Sequence, residues 1–446
     1  MTATATDANA SASRSTPALA RTLKRRHVTM ISLGGVIGAG LFVGSSAAIA
    51  SIGPAVVISY ALAGGIVLLV MRVIAALALA LPHAGAFTEY ARAGLGRWAG
   101  FTAGWLYWYF WAVVIGIEAI AGAAIIAAWV DLPVWVIGTA LMLLLTGSNL
   151  LSTRSYGEFE FWFSTIKVVA ILLFITVCAA FLVGAPASPG VALLSADGGF
   201  APLGWGAVVA GVTTVIFALV GAEIVTVAAA EAEDSAELVA SMAGTLIARI
   251  CIFYIGAIGL ILCIVPWRSI VPGQSPFAAA LDVVGVPGTT LLMNLLVLVA
   301  VLSCLNSAIY VASRALFTLA ANGDAPRWSV AVNRRGVPAR AVLAATAVGL
   351  ACVLASQLSP SLVFAFLVNA SGAIMIFVYM LTLVAALRLG VGTGLAGWGR
   401  WVALAGMAAV LAAMALTPDL APQLQASAGC TALVLIAAWA TRRRAS

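Results

Sequence analysis

The stretch HVTMISLGGVIGAGLFVGSSAAIA, His27 to Ala50, decides the architecture. It is as long and apolar as a membrane-crossing helix, which needs roughly 20 apolar residues, yet Gly34, Gly35, Gly38, Gly40 and Gly44 crowd its middle. Glycine weakens a helix interior, and in a bilayer the backbone has no water to turn to. An irregular segment at that depth is tolerated only where it is buried in protein or lines a cavity.

Working outward, a chain of 446 residues with 63% hydrophobic and only 8% charged residues is not a set of soluble domains. Scanning for apolar runs of spanning length gives about twelve, centred near Ile37, Leu68, Val113, Leu143, Leu172, Val215, Gly256, Leu298, Val348, Tyr379, Met407 and Leu433. The expectation is an all-α membrane protein with twelve transmembrane helices. The net charge of +7 does not form a basic face for nucleic acid; it reports topology. Of the Lys and Arg residues, Arg72, Lys167, Arg249 and Arg314 fall inside spans and Arg268 falls outside, while the rest lie on one side of the membrane. By the positive-inside rule that side is the cytoplasm, with both termini there. The residues before 27 read as a disordered cytoplasmic tail, and residues 442–446 as a basic one.

A second irregular helix, WGAVVAGVTTVIFALVGAEIVTVAAAEAE, carries Gly221 and Glu223 in its middle. It is the sixth span, five after the first. Gly-interrupted spans at corresponding positions of two halves point to the substrate site of a transporter built from inverted repeats. The expected organisation of residues 27–441 is a first repeat over about 27–185, a second over about 204–390, and two peripheral helices over about 398–441.

The candidate chemistry is mostly backbone. Gly34 to Gly38 and Gly40 to Gly44 match GxxxG, which serves close helix packing. The alternative is an unwound segment from Val36 to Leu41 whose free N–H groups at Gly38, Ala39 and Gly40 hold a carboxylate. In the sixth span, carbonyls near Phe217 and Val220, beside the break at Gly221, can accept from an ammonium group. Phe217 is either a lid or an ordinary core aromatic. Ionisable residues inside spans cost at least ~2.5 kcal/mol each on insertion scales and are functional candidates. These are Glu118, Lys167 and Glu223; an ion pair is the competing account of Glu118, and snorkelling to the interface that of Lys167. Ser303, Asn306, Ser307 and Tyr310 form a polar stripe with Cys304 among them, lining a cavity or bonding between helices. The acidic run Glu231 to Glu237 is a solvated loop. The six cysteines sit in apolar runs without metal-ligand spacing, and His27 and His83 lie near span ends. With no HExxH or GxSxG either, neither an enzyme, a metal nor a cofactor is expected.

These residues together make a pattern. RHVTMISLGGVIGAGLFVGSSAAIASIGPA, RWAGFTAGWLYWYFWAVVIGIEA, LTGSNLLSTRSYGEFEFW, GAEIVTVAAAE and SCLNSAIYVASR running on to NGDAP resemble the amino acid transporter family of the amino acid-polyamine-organocation superfamily, the bacterial γ-aminobutyrate permeases above all. The resemblance implies a leucine-transporter fold and proton symport, with Lys167 in the place of a sodium ion, Gly38 to Leu41 at the carboxylate site, and Phe217 and Glu223 at the sixth-span gate. Glu118 falls at the position of the family's third-span glutamate. One departure stands out: MRVIAA puts Ala76 where the family usually carries an acidic residue.

The expected substrate-binding set is therefore Val36, Gly38, Ala39, Gly40, Leu41, Phe217, Val220, Gly221, Cys304 and Ser307, and the coupling set Lys167, Glu223 and Glu118. The expected function is proton-coupled import of a small zwitterionic amino acid, γ-aminobutyrate, by alternating access across the inner (plasma) membrane. The partners are the amino acid, the proton and the lipid bilayer. The rivals are a permease or exchanger for aromatic, branched or small neutral amino acids, and a non-transporting amino acid sensor.

Overall fold

A computed structural model describes residues 23–34, 37–82, 86–151, 153–184, 190–229, 249–285, 288–391 and 395–443, with residues 239, 241 and 245 between them. The expected tail before residue 23, Val36, His83, the acidic run 231–237 and the last three residues lie outside the described residues.

Among the described residues, eight helices are long and apolar enough to cross a membrane. They are Val56–Ala80, Arg97–Ala127, Tyr156–Gly184, Gly204–Ala229, Leu291–Ala321, Pro360–Arg388, Gly397–Leu416 and Ala421–Thr441. The shorter apolar helices Val134–Asn149, Ile252–Ile264 and Ala339–Ala355 fall at the expected fourth, seventh and ninth spans. The first span is in pieces, Arg25–Gly34, Ala39–Phe42 and Gly44–Ile52. Together they make the expected twelve and form a leucine-transporter fold.

Burial separates the core from the rim. The sixth span is 94% buried, whereas the twelfth is 11% buried and leaves Leu433, Ile436 and Trp439 on the surface. In lipid such exposure carries no hydrophobic penalty, so packing between spans rests on close van der Waals approach and polar contacts. Small residues supply that approach. A Cβ on Gly40 would lie 2.7 Å from Ala218 Cα, so the backbones of spans one and six touch there. A Cβ on Gly116 would lie 3.0 Å from the Gly349 carbonyl, where spans three and nine meet.

Between spans two and three, the short helix Phe87–Leu95 packs under the tenth span. Its Arg92 and the neighbouring Arg97 clamp the buried carboxylate of Asp324, at the end of span eight; Arg92 pairs with Oδ2, and Arg97 Nε lies 3.0 Å from Oδ1. Trp105 Nε1 donates to the Asp324 carbonyl at 3.1 Å. Glu89 completes the clasp by accepting from Arg92 Nε at 2.7 Å. Burial pushes the Glu89 carboxyl above its ordinary value, and Arg92 opposes that shift.

Candidate functional site

The two broken helices meet at one small cavity. Its wall is Gly38, Gly40, Phe110, Trp111, Val114, Glu118, Phe217, Ala218, Val220 and Cys304, and its volume is about 20 Å³. That is room for about one water molecule.

Span one breaks more briefly than the glycines imply. Helix resumes at Ala39, and the Gly38 carbonyl accepts from the amides of Leu41 and Phe42, both at 3.2 Å. The unwound segment expected to run from Val36 to Leu41 therefore ends at Gly38, and Leu41 has its amide satisfied. At the start of this new helix the orphan amide of Ala39 donates to both oxygens of Glu118, at 3.2 and 3.1 Å. An anion at a helix start is what orphan N–H groups attract. Here a side chain of the protein fills the role foreseen for a ligand.

Gly38 faces the same group. A Cβ built on it would lie 2.7 Å from Cys304 Sγ and 2.8 Å from Glu118 Oε1. Gly34, on the other side of the break, would bring a Cβ to 1.7 Å from Ser164 Oγ. These glycines thus answer both readings: Gly34 and Gly40 admit neighbouring helices, and Gly38 keeps a cavity open.

The sixth span is helical over Val212–Leu219, breaks, and resumes at Ile224–Ala229. Gly221 takes φ 119°, a left-handed region favoured by glycine. Its amide donates to Glu223 Oε2 at 3.0 Å rather than back into the helix, freeing the Phe217 carbonyl of its ordinary partner. Tyr379 OH donates to the same Oε2 at 3.0 Å, and Tyr254 OH donates to the Ala218 carbonyl at 2.8 Å. Glu223 thus braces the break. Phe217 is buried and lies 6.2 Å, centroid to centroid, from Phe110 across the cavity.

Lys167 forms a separate cluster behind the first break. Its side chain is fully buried, and Nζ donates to the Gly34 carbonyl at 2.6 Å, the Ile37 carbonyl at 3.2 Å and Ser303 Oγ at 2.9 Å. Two carbonyls at the first break coordinate the ammonium, which is buried in the protein and does not snorkel to an interface. Ser307 sits off the cavity wall, bonded to Tyr156 OH at 3.0 Å. Asn306 takes a bond of 2.6 Å from Asn149 Nδ2, so part of the polar stripe joins helices.

Three participants escape a reading by motif. Glu160, fully buried, stands 3.7 Å from Lys167. Phe110 and Trp111 close the cavity from span three. The signal for Glu160 was spacing: Tyr156, Glu160, Ser164, Lys167 and Ile171 share one buried helical face. Span three carries aromatic side chains at Phe101, Trp105, Tyr107, Trp108, Tyr109, Phe110 and Trp111, spread around the helix, so its sequence offers no signal for these two.

Residues 27–443 match the family model described as amino acid permease. The chain belongs to the amino acid permease family. This permease is 47% identical to a gamma-aminobutyric acid permease of Bacillus subtilis over 83% of its own length and 80% of that protein's. It is 44% identical to the gamma-aminobutyric acid permease of Escherichia coli, covering 82% and 80%. An aromatic amino acid transport protein of Corynebacterium glutamicum is 37% identical, covering 84% and 83%. In solved structures the fold resembles a mutant of the manganese transporter of Eremococcus coleocola, with TM-score 0.57, 95% coverage of both chains and 13% identity; at that identity the likeness concerns the fold alone.

Proposed function

We propose that this permease imports a small zwitterionic amino acid, γ-aminobutyrate, with protons, across the inner (plasma) membrane by alternating access, both termini being cytoplasmic. The observation that carries the reading is the meeting of two helix breaks at one cavity, with a carboxylate already on the Ala39 amide. The substrate carboxylate takes the amides at Gly38 to Gly40 and displaces Glu118 from Ala39. The substrate ammonium then faces Glu118 and the freed carbonyls near Phe217 and Val220. Lys167 is the coupling group: losing its proton weakens its hold on the Gly34 and Ile37 carbonyls and so loosens the first break.

A cavity of about 20 Å³ is a closed state of this site, so Phe217 and Phe110 must part for substrate to enter. Three aromatic rings already crowd its wall, which supports a slim aliphatic substrate over an aromatic one. The relatives named for γ-aminobutyric acid support the same choice. The test is competition against labelled γ-aminobutyrate in cells expressing the protein. Unlabelled γ-aminobutyrate should suppress uptake, with phenylalanine and lysine far weaker; suppression by phenylalanine at equal concentration would favour the aromatic reading.

A further inference from the structure

Lys167 does not stand alone. Its ammonium donates to Ser303 Oγ at 2.9 Å, and that hydroxyl donates to Glu160 Oε1 at 2.5 Å. Ser164 Oγ adds a second bond to the same oxygen at 3.3 Å. Glu160 Oε2 is buried with no hydrogen-bond partner among the described residues. A buried carboxylate oxygen without a donor is costly while the group is charged, and the cost is relieved when a proton arrives. The unused oxygen, the short bond through Ser303 and the ammonium behind it are the parts of a proton relay.

We propose that Glu160 is the proton acceptor for Lys167 during transport, with the Ser303 hydroxyl as the bridge. The Nζ proton passes to Ser303 Oγ as the hydroxyl proton passes to Glu160 Oε1. The ammonium becomes an amine, the carboxylate becomes a carboxylic acid, the serine is unchanged, and no charge leaves the cluster. Glu160 precedes Lys167 by two helical turns, about 10 Å along the helix axis, towards the cytoplasmic end under the proposed topology. Long helical side chains lean towards the N-terminus, which is how Lys167 reaches back to it. Two further titratable groups feel the charges of the pair: Glu118 on span three feels Lys167, and Cys304 on span eight feels both Lys167 and Glu160.

This inference rests on proton-coupled import, and the experiment separates the two. Purified full-length protein in liposomes is given labelled γ-aminobutyrate, with an inward proton gradient in one arm and exchange at equal pH in the other. Glu160→Gln should lower the ratio of gradient-driven accumulation to exchange by about tenfold and flatten the pH profile of uptake. Ser303→Ala should move the ratio the same way by less, and Glu160→Asp should recover part of it. An unchanged ratio and pH profile in Glu160→Gln would overturn the relay, as would equal loss in both arms. Should Glu160→Gln fail to fold, an unchanged ratio in Ser303→Ala overturns it instead. Wild-type protein that exchanges but shows no gradient-stimulated uptake would defeat proton coupling itself, and the relay with it.

Discussion

Replacing Gly38 with alanine adds one methyl group at the point where the cavity, the third span and the eighth span meet. The new Cβ would lie 2.7 Å from Cys304 Sγ, 2.8 Å from Cys304 Cβ and 2.8 Å from Glu118 Oε1. No neighbour can retreat cheaply, because Glu118 is held on the Ala39 amide and the Cys304 Cβ is fixed to its helix. Overpacking of this kind costs about 1–3 kcal/mol. In the substrate-bound state the Cys304 contacts remain and the added methyl also takes space the carboxylate needs at the Gly38 to Gly40 amides, so apparent affinity weakens by about fivefold to about a hundredfold, each 1.4 kcal/mol being a factor of ten. Uptake at rising substrate concentration, with protein amount and thermal stability measured in parallel, separates lost affinity from lost protein. Cys304→Gly removes two of the three clashes, so the double substitution should recover affinity with a coupling energy of about 0.5–3 kcal/mol. Cys304→Ala keeps the Cβ and should rescue less. Wild-type affinity in Gly38→Ala, or strict additivity with Cys304→Gly, would refute the placement of Gly38 on the substrate path.

Two other predictions follow from the buried charges. Lys167→Ala should abolish the dependence of uptake on pH and also destabilise the protein by about 3–5 kcal/mol, because it strands the Glu160 carboxylate in the core; Lys167→Met with Glu160→Gln should regain stability in thermal unfolding but not coupling, and a double variant no more stable than Lys167→Ala would contradict the pairing. Asp324→Ala should lower thermal stability by about 1.5–3 kcal/mol, the cost of lost bonds to charged partners, reduced by the partial exposure of Arg92 and Arg97; with Arg92→Ala already present the further loss should shrink, and full additivity would show that the clasp is not a unit.

The architecture was legible because run length and glycine interruption are local properties. Twelve apolar runs, two of them broken five apart, follow from counting along the chain, and the structure has the same breaks at Gly38 and Gly221. The extent of a break was not legible. Val36 to Leu41 reads as uniformly unwound, but whether Leu41 resumes the helix depends on Gly38 lending its carbonyl to two amides. The partners of the buried charges were hidden for the same reason. Glu118 faces the Ala39 amide and Lys167 faces Ser303, each on a helix far away in sequence, and Glu223 turns onto its own break, where distant Tyr379 also reaches it. Glu160 was the nearest miss: its burial depends on span eight presenting Ser303 to it, yet its place on the Lys167 face of span five was there to be read.

Under the proposed function, two broken helices and one buried lysine make a proton-driven carrier. The most direct measurement is γ-aminobutyrate accumulation in sealed liposomes holding the purified protein, with the inside alkaline and then with the gradient collapsed by a protonophore. A proton-driven carrier gives transient accumulation above the external concentration that disappears with the gradient. Accumulation untouched by the protonophore, or none under any gradient, would contradict it.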